Sequence, residues 1–398
     1  MKKLLAISIL WACALSLQAQ TEPIRVDFLG EKIEFQADSS LFVHWEGALT
    51  ESGIRDFYDK INQSAYTGLI QSLVTTRDKY KLDDWLYYQL IRRTAQGISP
   101  KYGNYARYTL YKWFFLVKSG YNSIVTVDGE RILFYIQTDE NVYNIPYRVK
   151  EGKQYVCLNY HDYGQIDFTK THFSEVVLPV AGANRGFTYK VTHMPDLGPA
   201  TYQEKDIAFN YYEEGYHFKI KLSTGVKALF TNYPVVDYGS YFNTPLSGPT
   251  YASLIPELRK RVKGLSKKKG VEFLMNFTRY AFLYEPDINI YGGEKRLTPE
   301  QTLLSDQSDC DDRAALFFYL IKEIYDLPML VIAYPTHVTI AVAFDKPIGQ
   351  NQIDYAGKKY SICEPTPQKT DLKIGQLPPQ FVKAQYEIAY AYMPAREK

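Results

Sequence analysis

The chain has 398 residues, of which 46% are hydrophobic and 23% are charged, so its length suffices for two or three domains and its composition is that of a folded protein. Lysine and arginine number 46 and acidic residues 44, and loss of a leader containing Lys2 and Lys3 leaves 44 of each. This balance gives no electrostatic drive towards nucleic acid or an anionic membrane surface, so neither is expected as a partner.

Residues 1–20 have the composition of a signal peptide. Lys2 and Lys3 form a basic start, residues 4–17 are mostly apolar, and Ala19 supplies a small residue before the expected cleavage point. We therefore expect an exported protein, in the periplasm or at the cell surface. Lipidation at Cys13 is the less favoured alternative, because Trp11 stands where a smaller residue is expected. No later segment is long and apolar enough to span a bilayer.

The rest of the chain predicts an α+β, multidomain protein. Residues 21–160 are expected to form an N-terminal α+β domain, and residues 161–250 a central β-sandwich followed by a linker. Residues 251–398 form the C-terminal domain. In chain order the patterns predict strands within 24–45, helices within 51–97 and over 105–117, strands at 123–128, 131–137 and 154–158, alternating strands within 161–235, a linker over 236–250, helices over 254–263 and 270–284, and strands at 329–334, 337–344 and 359–363.

The two ends of the chain resemble each other weakly. The segment 112–122 aligns with 316–326, and Gly152-Lys153-Gln154-Tyr155 matches Gly357-Lys358-Lys359-Tyr360 at nearly the same offset. This pattern indicates a degenerate internal duplication, with coincidental similarity between two amphipathic helices as the alternative. In the first copy, positions near Ala106 and Leu133 match Cys310 and His337, so that copy would lack the same chemistry.

Beyond the leader the chain keeps three cysteines: Cys157, Cys310 and Cys363. An odd number, in no recognisable framework, argues against a fold held together by disulfides. The chain also lacks the C-x-x-C, H-E-x-x-H and glycine-rich phosphate-binding patterns, so no cofactor or metal is expected. Cys363 adjoins Glu364 on a predicted strand, and the alternation of strand side chains directs it towards the core.

Cys310, His337 and Glu364 follow one another in a helix–strand–strand order that suits nucleophilic catalysis. Cys310 lies where a helix begins, and the unpaired N–H groups at that end favour a thiolate, although the neighbouring aspartates oppose it. His337 opens the strand that follows the helix, within reach of a thiol at the helix start. Glu364 ends a later strand, where a carboxylate can accept the second imidazole N–H and fix its tautomer.

These three segments resemble the transglutaminase-like superfamily of papain-like cysteine hydrolases and transferases. The resemblance rests on Asp309-Cys310-Asp311-Asp312-Arg313-Ala314, Tyr334-Pro335-Thr336-His337-Val338 and Tyr360-Ser361-Ile362-Cys363-Glu364-Pro365-Thr366, and it covers about residues 250–380. It implies a papain-like α+β domain with Cys310 as nucleophile, His337 as base and Glu364 as the acidic residue that orients it. It also implies a protein or peptide substrate, here in the cell envelope.

Two positions depart from the family pattern. Glu364 stands where members usually carry aspartate, and Arg279 stands near a helix position that often carries an oxyanion-binding glutamine. Arg279 could still donate hydrogen bonds to an oxyanion. Arg313, paired with a neighbouring aspartate, is expected to stabilise the start of the helix rather than to touch substrate.

Two further functions remain open from the sequence. A catalytically inactive envelope scaffold or binding protein would explain the inert first copy, Arg279 and the acidic neighbours of Cys310. A metal site made from Asp309, Asp311, Asp312 and His337 is weaker, because that spacing matches no known metal-binding loop.

Overall fold

A computed structural model describes residues 20–394, except for the side chains of residues 290 and 291. The protein is a mixed α+β structure, as predicted. The first part of the chain contains β1 (Thr21–Phe28), β2 (Glu31–Asp38), α1 (Glu51–Asn62), α2 (Thr67–Tyr80), α3 (Asp84–Ile98), α4 (Tyr105–Lys118), β3 (Ser123–Val127), β4 (Ile132–Gln137), β5 (Val142–Tyr143), β6 (Tyr147–Lys150), β7 (Lys153–Cys157) and β8 (Ser174–Val176).

The remainder of the chain contributes a long hairpin, several helices and a second sheet. Its elements are β9 (Tyr202–Tyr211), β10 (Glu214–Ser223), α5 (Gly225–Leu229), β11 (Val235–Val236), α6 (Tyr238–Phe242), α7 (Gly248–Val262), α8 (Lys267–Tyr280), β12 (Leu283–Tyr284), α9 (Asp287–Tyr291), α10 (Pro299–Leu304), β13 (Gln307–Ser308), α11 (Cys310–Tyr325), β14 (Met329–Tyr334), β15 (His337–Ala343), β16 (Gln352–Tyr355), β17 (Lys358–Cys363) and β18 (Glu387–Tyr392).

Two antiparallel sheets of five strands have the same strand order. The first sheet runs β6-β7-β4-β3-β8 and the second runs β16-β17-β15-β14-β18. If the five strands of each sheet are numbered in chain order, the order across both sheets is the third strand, then the fourth, second, first and fifth. In each case one largely buried helix, α4 or α11, directly precedes the first strand and packs against the sheet.

The central strands of the second sheet are buried on both faces. Val331, Ile340 and Val342 belong to the main core, where α11 packs on β15, while Leu330 and Ile332 face a smaller cluster under the connection between β17 and β18. Burial on both faces explains why β14 and β15 read as continuous apolar runs rather than as alternating strands. The sheet and α11 therefore form the rigid base for the loops around the N-terminal end of α11, where Cys310 lies.

The central β-sandwich predicted for 161–250 is wrong for the described residues. β8 joins the first sheet, and β9 and β10 form an isolated two-stranded hairpin. The apolar face of this hairpin packs on helices instead of a second sheet: the ring of Phe209 contacts the rings of Phe273 and Phe277 on α8. Alternation of apolar and polar residues indicates that one face of a strand is buried, but it does not indicate what covers that face.

Other boundaries differ from the prediction in smaller ways. The helical stretch 51–97 is three helices, α1 to α3, and the predicted linker over 236–250 contains α6 and the start of α7. The edge strands β16 and β18 have no counterpart among the predicted strands. α4 begins at Tyr105, and α11 begins at Cys310. By its place at the helix start, Tyr105 matches Cys310, one residue before the predicted Ala106.

The strand starts bear on the other predicted match. β4 begins at Ile132 and β15 begins at His337. The start of β4 lies one residue before Leu133, the position predicted near the match to His337, and neither Ile132 nor Leu133 offers an imidazole.

Candidate active site

Cys310 is the first residue of α11 and is only partly exposed. The Asp309 side chain caps the helix by accepting hydrogen bonds from the backbone N–H groups of Asp311, at 3.0 Å, and Asp312, at 3.2 Å. The cap fixes the helix start at Cys310, as the sequence predicts. The Cys310 Sγ donates to Asp311 Oδ1 at 3.4 Å. The free thiol is thus hydrogen-bonded to its neighbouring carboxylate.

The surroundings of Cys310 favour the neutral thiol. Burial, followed by the charges of Asp311 and Asp309, raises the pKa of Cys310 well above that of an ordinary thiol. The backbone amide of Val338 hydrogen-bonds towards the thiol and lowers that pKa. Because Val338 follows His337 directly, this contact also ties the start of α11 to the start of β15.

His337 and Glu364 form a buried pair. The His337 Nε2 lies 2.8 Å from Glu364 Oε2, and the residues are 7% and 1% exposed. The other carboxylate oxygen of Glu364, Oε1, accepts the backbone N–H of Thr366 at 2.8 Å. Phe381 stacks on the imidazole, with ring centroids 4.9 Å apart and planes 7° apart. The stacked ring and the carboxylate therefore restrain both the rotation of the His337 imidazole and its tautomer. Nε2 points at Glu364, which leaves Nδ1 as the nitrogen that does not contact the carboxylate.

Arg279 does not lie in the cleft with Cys310. Its Nε donates to the backbone carbonyl of Glu364 at 2.7 Å, and its Nη2 lies 3.5 Å from the sulfur of Met275. The expectation that Arg279 replaces an oxyanion-binding glutamine is wrong, because its side chain caps the end of β17. It contributes to the site by holding the backbone from which Glu364 projects.

Arg313 has the structural role predicted for it, through carbonyls rather than through an aspartate. The side chain is fully buried and donates to the backbone oxygens of Ser308, Thr278, Arg279 and Phe282. These groups belong to the end of α8 and to the strand that precedes Cys310. Arg313 thereby joins α8 to the residues that lead into α11.

Cys310 and His337 line one open cleft of about 800 Å³. Most of its lining comes from the C-terminal part of the chain, but Tyr143 and Asn144 come from β5 and the turn after it. β5 reaches the cleft because it pairs with β11, through Tyr143 opposite Val235. The candidate site is therefore built from both parts of the chain, which the sequence does not indicate.

Three carboxylates meet at the side of the cleft next to Cys310. One oxygen of each of Asp287, Glu294 and Asp309 lies within 4.8 Å of the others. These are the described residues that could hold a cation, and they share only Asp309 with the metal site considered from the sequence. That site is wrong in composition: Asp311 contacts Arg296, Asp312 accepts the backbone N–H of Leu297, and His337 contacts Glu364.

Mutual repulsion and burial disfavour the charged forms of these carboxylates. Burial, followed by the charges of Glu294 and Asp311, raises the pKa of Asp287 to about 6, even though the Lys295 backbone N–H opposes the shift. Burial and then the Asp311 and Asp287 charges raise the pKa of Asp309 to about 7. At neutral pH the negative charge of this cluster therefore lowers the stability of the folded state.

Replacing Asp287 by asparagine should stabilise the protein at neutral pH. An unfolded aspartate has a pKa of about 3.9, so the folded state binds the proton more tightly and wild-type stability falls as pH rises from about 4 to about 6. The asparagine side chain keeps an acceptor for the Lys295 N–H but has no charge. We expect the variant to gain about 1–2 kcal/mol over wild type at about pH 8 and almost nothing at about pH 4, in urea unfolding. An equal loss of stability at both pH values would contradict the electrostatic cause.

Several residues of this site are not marked by any pattern in the sequence. They lie in loops and short turns, at the start of the five-residue helix α9 or on a distant strand, where no periodicity marks a functional position: Asp287, Glu294, Arg296, Tyr143 and Phe381. Only the long loop with Gly292 and Gly293 before Cys310 is a signal, since loops of that length are often functional.

Comparison with known proteins does not identify the chain. No family profile, no curated protein and no solved structure matches it. Among residues 20–394, none of the helices has both the length and the apolar character required to cross a membrane. The segment predicted to be a signal peptide lies outside the described residues, except for Gln20.

Proposed function

We propose that the protein is an exported cysteine-dependent amide hydrolase or acyl transferase of the transglutaminase-like type, acting on protein or peptide amides. The observation that carries this proposal is the buried His337–Glu364 pair, 2.8 Å between Nε2 and Oε2, on the cleft that Cys310 also lines. A neutral imidazole whose Nε2–H is held by a carboxylate has Nδ1 available to accept a proton. The export of the protein is part of the proposal and rests on the composition of residues 1–20.

The reaction would begin with proton transfer from the Cys310 thiol to His337. The sulfur attacks the amide carbonyl carbon, and the backbone N–H of Cys310 helps to bind the oxyanion. His337 then gives its proton to the leaving amine as the C–N bond breaks, leaving a thioester. Water or an amine attacks the thioester, the C–S bond breaks, and the proton returns through His337 to the thiol. Glu364 holds the imidazole in place and stabilises the imidazolium while it exists.

The raised pKa of Cys310 favours a second candidate, a catalytically inactive scaffold or binding protein. The thiol donates to Asp311 rather than being held as a thiolate. An inert first copy fits the same function.

We include in the proposal that the first part of the chain is a degenerate copy of the C-terminal domain. The shared strand order of the two five-stranded sheets supports it.

The rate of Cys310 alkylation by iodoacetamide separates the two functions. It should be measured over about pH 4–9, a range that spans thiol pKa values, in the wild-type chain and in His337→Ala. Each protein also needs a Cys310→Ala control, because Cys157 and Cys363 are buried free thiols. An enzyme predicts modification that depends on His337 and persists below about pH 7. Slow modification, unchanged in His337→Ala, would support the scaffold and overturn the proposed chemistry.

A further inference from the structure

The cleft carries far more negative than positive charge. Its charged lining comprises the carboxylates of Asp237, Asp287, Glu294, Asp309, Asp311 and Glu387 and the single guanidinium of Arg296. The whole chain has a formal net charge of +2, so the acidity is local to the cleft. A cleft lined by charges of one sign concentrates the field and attracts ligands of the opposite sign.

Arg296, the cation that the described residues contribute to the cleft lining, is already engaged. The Arg296 Nε lies 3.4 Å from Asp311 Oδ2, its Nη1 donates to the carbonyl of Val236 at 2.6 Å, and its guanidinium lies 4.0 Å from the ring centroid of Tyr238. Arg296 therefore neutralises Asp311 and braces the wall made by β11. The charge of Arg296 also opposes the raised pKa of Glu294, but among the described residues no arginine forms an ion pair with Asp287, Glu294 or Asp309.

A buried oxygen behind these three carboxylates also lacks a partner. Asp312 is fully buried, and its Oδ2 has no hydrogen-bond partner among the described residues. Burial, followed by the charges of Asp309 and Asp287, raises the pKa of Asp312, so its carboxylate lies close to the same cluster. An unpaired, fully buried carboxylate oxygen needs a proton or a hydrogen-bond donor, and the described residues supply no donor. A cation bound at the neighbouring cluster would also stabilise this carboxylate.

The lining of the cleft also includes an aromatic ring. Tyr143 lines the cleft and is 47% exposed, so its ring is accessible to a ligand bound there. An ammonium or guanidinium group is attracted to the face of a tyrosine ring as well as to carboxylates. Tyr143 belongs to the first part of the chain, so this contact gives that part a role that does not require its own catalytic residues.

We propose that the cleft selects polypeptide segments that carry a positively charged side chain close to the reacting amide. The charge would lie between the carboxylates of Asp287, Glu294 and Asp309 and the ring of Tyr143. This inference rests on the proposed function in one respect only, that the cleft of Cys310 binds polypeptide. Selection by charge applies equally to an enzyme and to a binding protein.

The test measures binding without catalysis. Fluorescence anisotropy of the Cys310→Ala chain is recorded with a short lysine-containing peptide and with the same peptide carrying acetyl-lysine, which keeps the length and removes the charge. We expect the lysine peptide to bind at least about tenfold more tightly at low salt, with the preference declining as salt increases. Equal affinity for the two peptides, or no binding of either, would overturn the inference.

Three variants in the same Cys310→Ala background locate the selection, with a fourth as control. Glu294→Gln removes an exposed cleft carboxylate and should lower the preference for lysine about threefold or more. Tyr143→Ala should lower it similarly, whereas Tyr143→Phe keeps the aromatic face and should retain most of it. The control, Glu257→Gln on the exposed surface of α7, removes the same charge elsewhere and should change nothing. A preference that survives both Glu294→Gln and Tyr143→Ala would place the selection outside this cleft and overturn the inference.

A metal ion is the competing occupant of the carboxylates. Calorimetric titration of the Cys310→Ala chain with Ca²⁺ addresses it directly. Binding that Glu294→Gln abolishes, together with equal affinity for the two peptides, would assign the cluster to a cation and overturn peptide selection. Selection with no His337-dependent alkylation in the wild-type chain would instead retain the inference and reject the proposed chemistry.

Discussion

Replacing Glu364 by glutamine should remove most of the reactivity of Cys310 while leaving the fold intact. The backbone N–H of Thr366 needs an acceptor at Oε1, so the glutamine must turn its carbonyl oxygen there and its NH₂ towards His337. His337 Nε2 then has to accept a hydrogen bond, which places the ring proton on Nδ1. An imidazole in that tautomer cannot take the proton of a thiol. In a Ser-His-Asp triad, loss of the correct tautomer lowers turnover by about 10⁴-fold.

The measurement is the alkylation rate of Cys310 near neutral pH, joined by amide hydrolysis once a substrate is found. Glu364→Asp is the matched control, because it keeps the charge and shortens the side chain by one methylene. We expect it to retain more reactivity than Glu364→Gln, although its reach to His337 Nε2 is shorter. Unfolding in urea checks that both variants fold. If Glu364→Gln reacted as fast as wild type, Glu364 would not be the residue that orients His337.

The elements that hold the candidate triad could be predicted because local chemistry determines them. Asp309 is followed by an apolar helical run, and its side chain caps α11 where the sequence predicts a helix start. His337 opens β15 after a two-residue turn, and Glu364 follows β17 directly, before Pro365. In each case the end of an element is set by residues within a few positions of it.

The cleft itself could not be predicted, because distant segments build it. Tyr143 reaches it only through the pairing of β5 with β11, two strands that lie far apart along the chain. Phe381 lies in the irregular connection before β18, yet it stacks on His337. Asp287 and Glu294 meet Asp309 because the loop after α8 folds back on the helix start. None of these approaches leaves a periodic pattern in the sequence.

The incorrect expectation for Arg279 has a related cause. A resemblance assigns a residue to a position on a helix, but the direction of its side chain depends on what lies opposite. Here the end of β17 lies opposite, and the carbonyl of Glu364 accepts the Arg279 Nε–H. The end of a strand leaves backbone groups that need partners, and a long guanidinium satisfies such a carbonyl. Arg279 therefore supports Glu364 from behind instead of facing substrate.

Replacing Arg313 by methionine should lower the stability of the protein more than any other substitution described for the site. The guanidinium is fully buried and donates to four backbone carbonyls, at distances from 2.6 Å for Arg279 to 3.4 Å for Ser308. Burial lowers the pKa of Arg313 to about 10, so the group is still charged at neutral pH. Methionine fills much of the volume but donates nothing. Four buried acceptors then lose a charged donor, which should lower the free energy of unfolding by about 3–5 kcal/mol.

Urea unfolding of the wild-type chain, Arg313→Met and Arg259→Met measures this effect. Arg259 is exposed on α7 and donates to the Glu323 carbonyl at 2.6 Å, so its loss should lower the free energy of unfolding by less than about 1 kcal/mol. A loss of similar size in both variants would show that the buried carbonyls find other partners. If Arg313→Met is instead strongly destabilised, Cys310 alkylation in the folded fraction should also change, because the same guanidinium holds Ser308, two residues before the thiol.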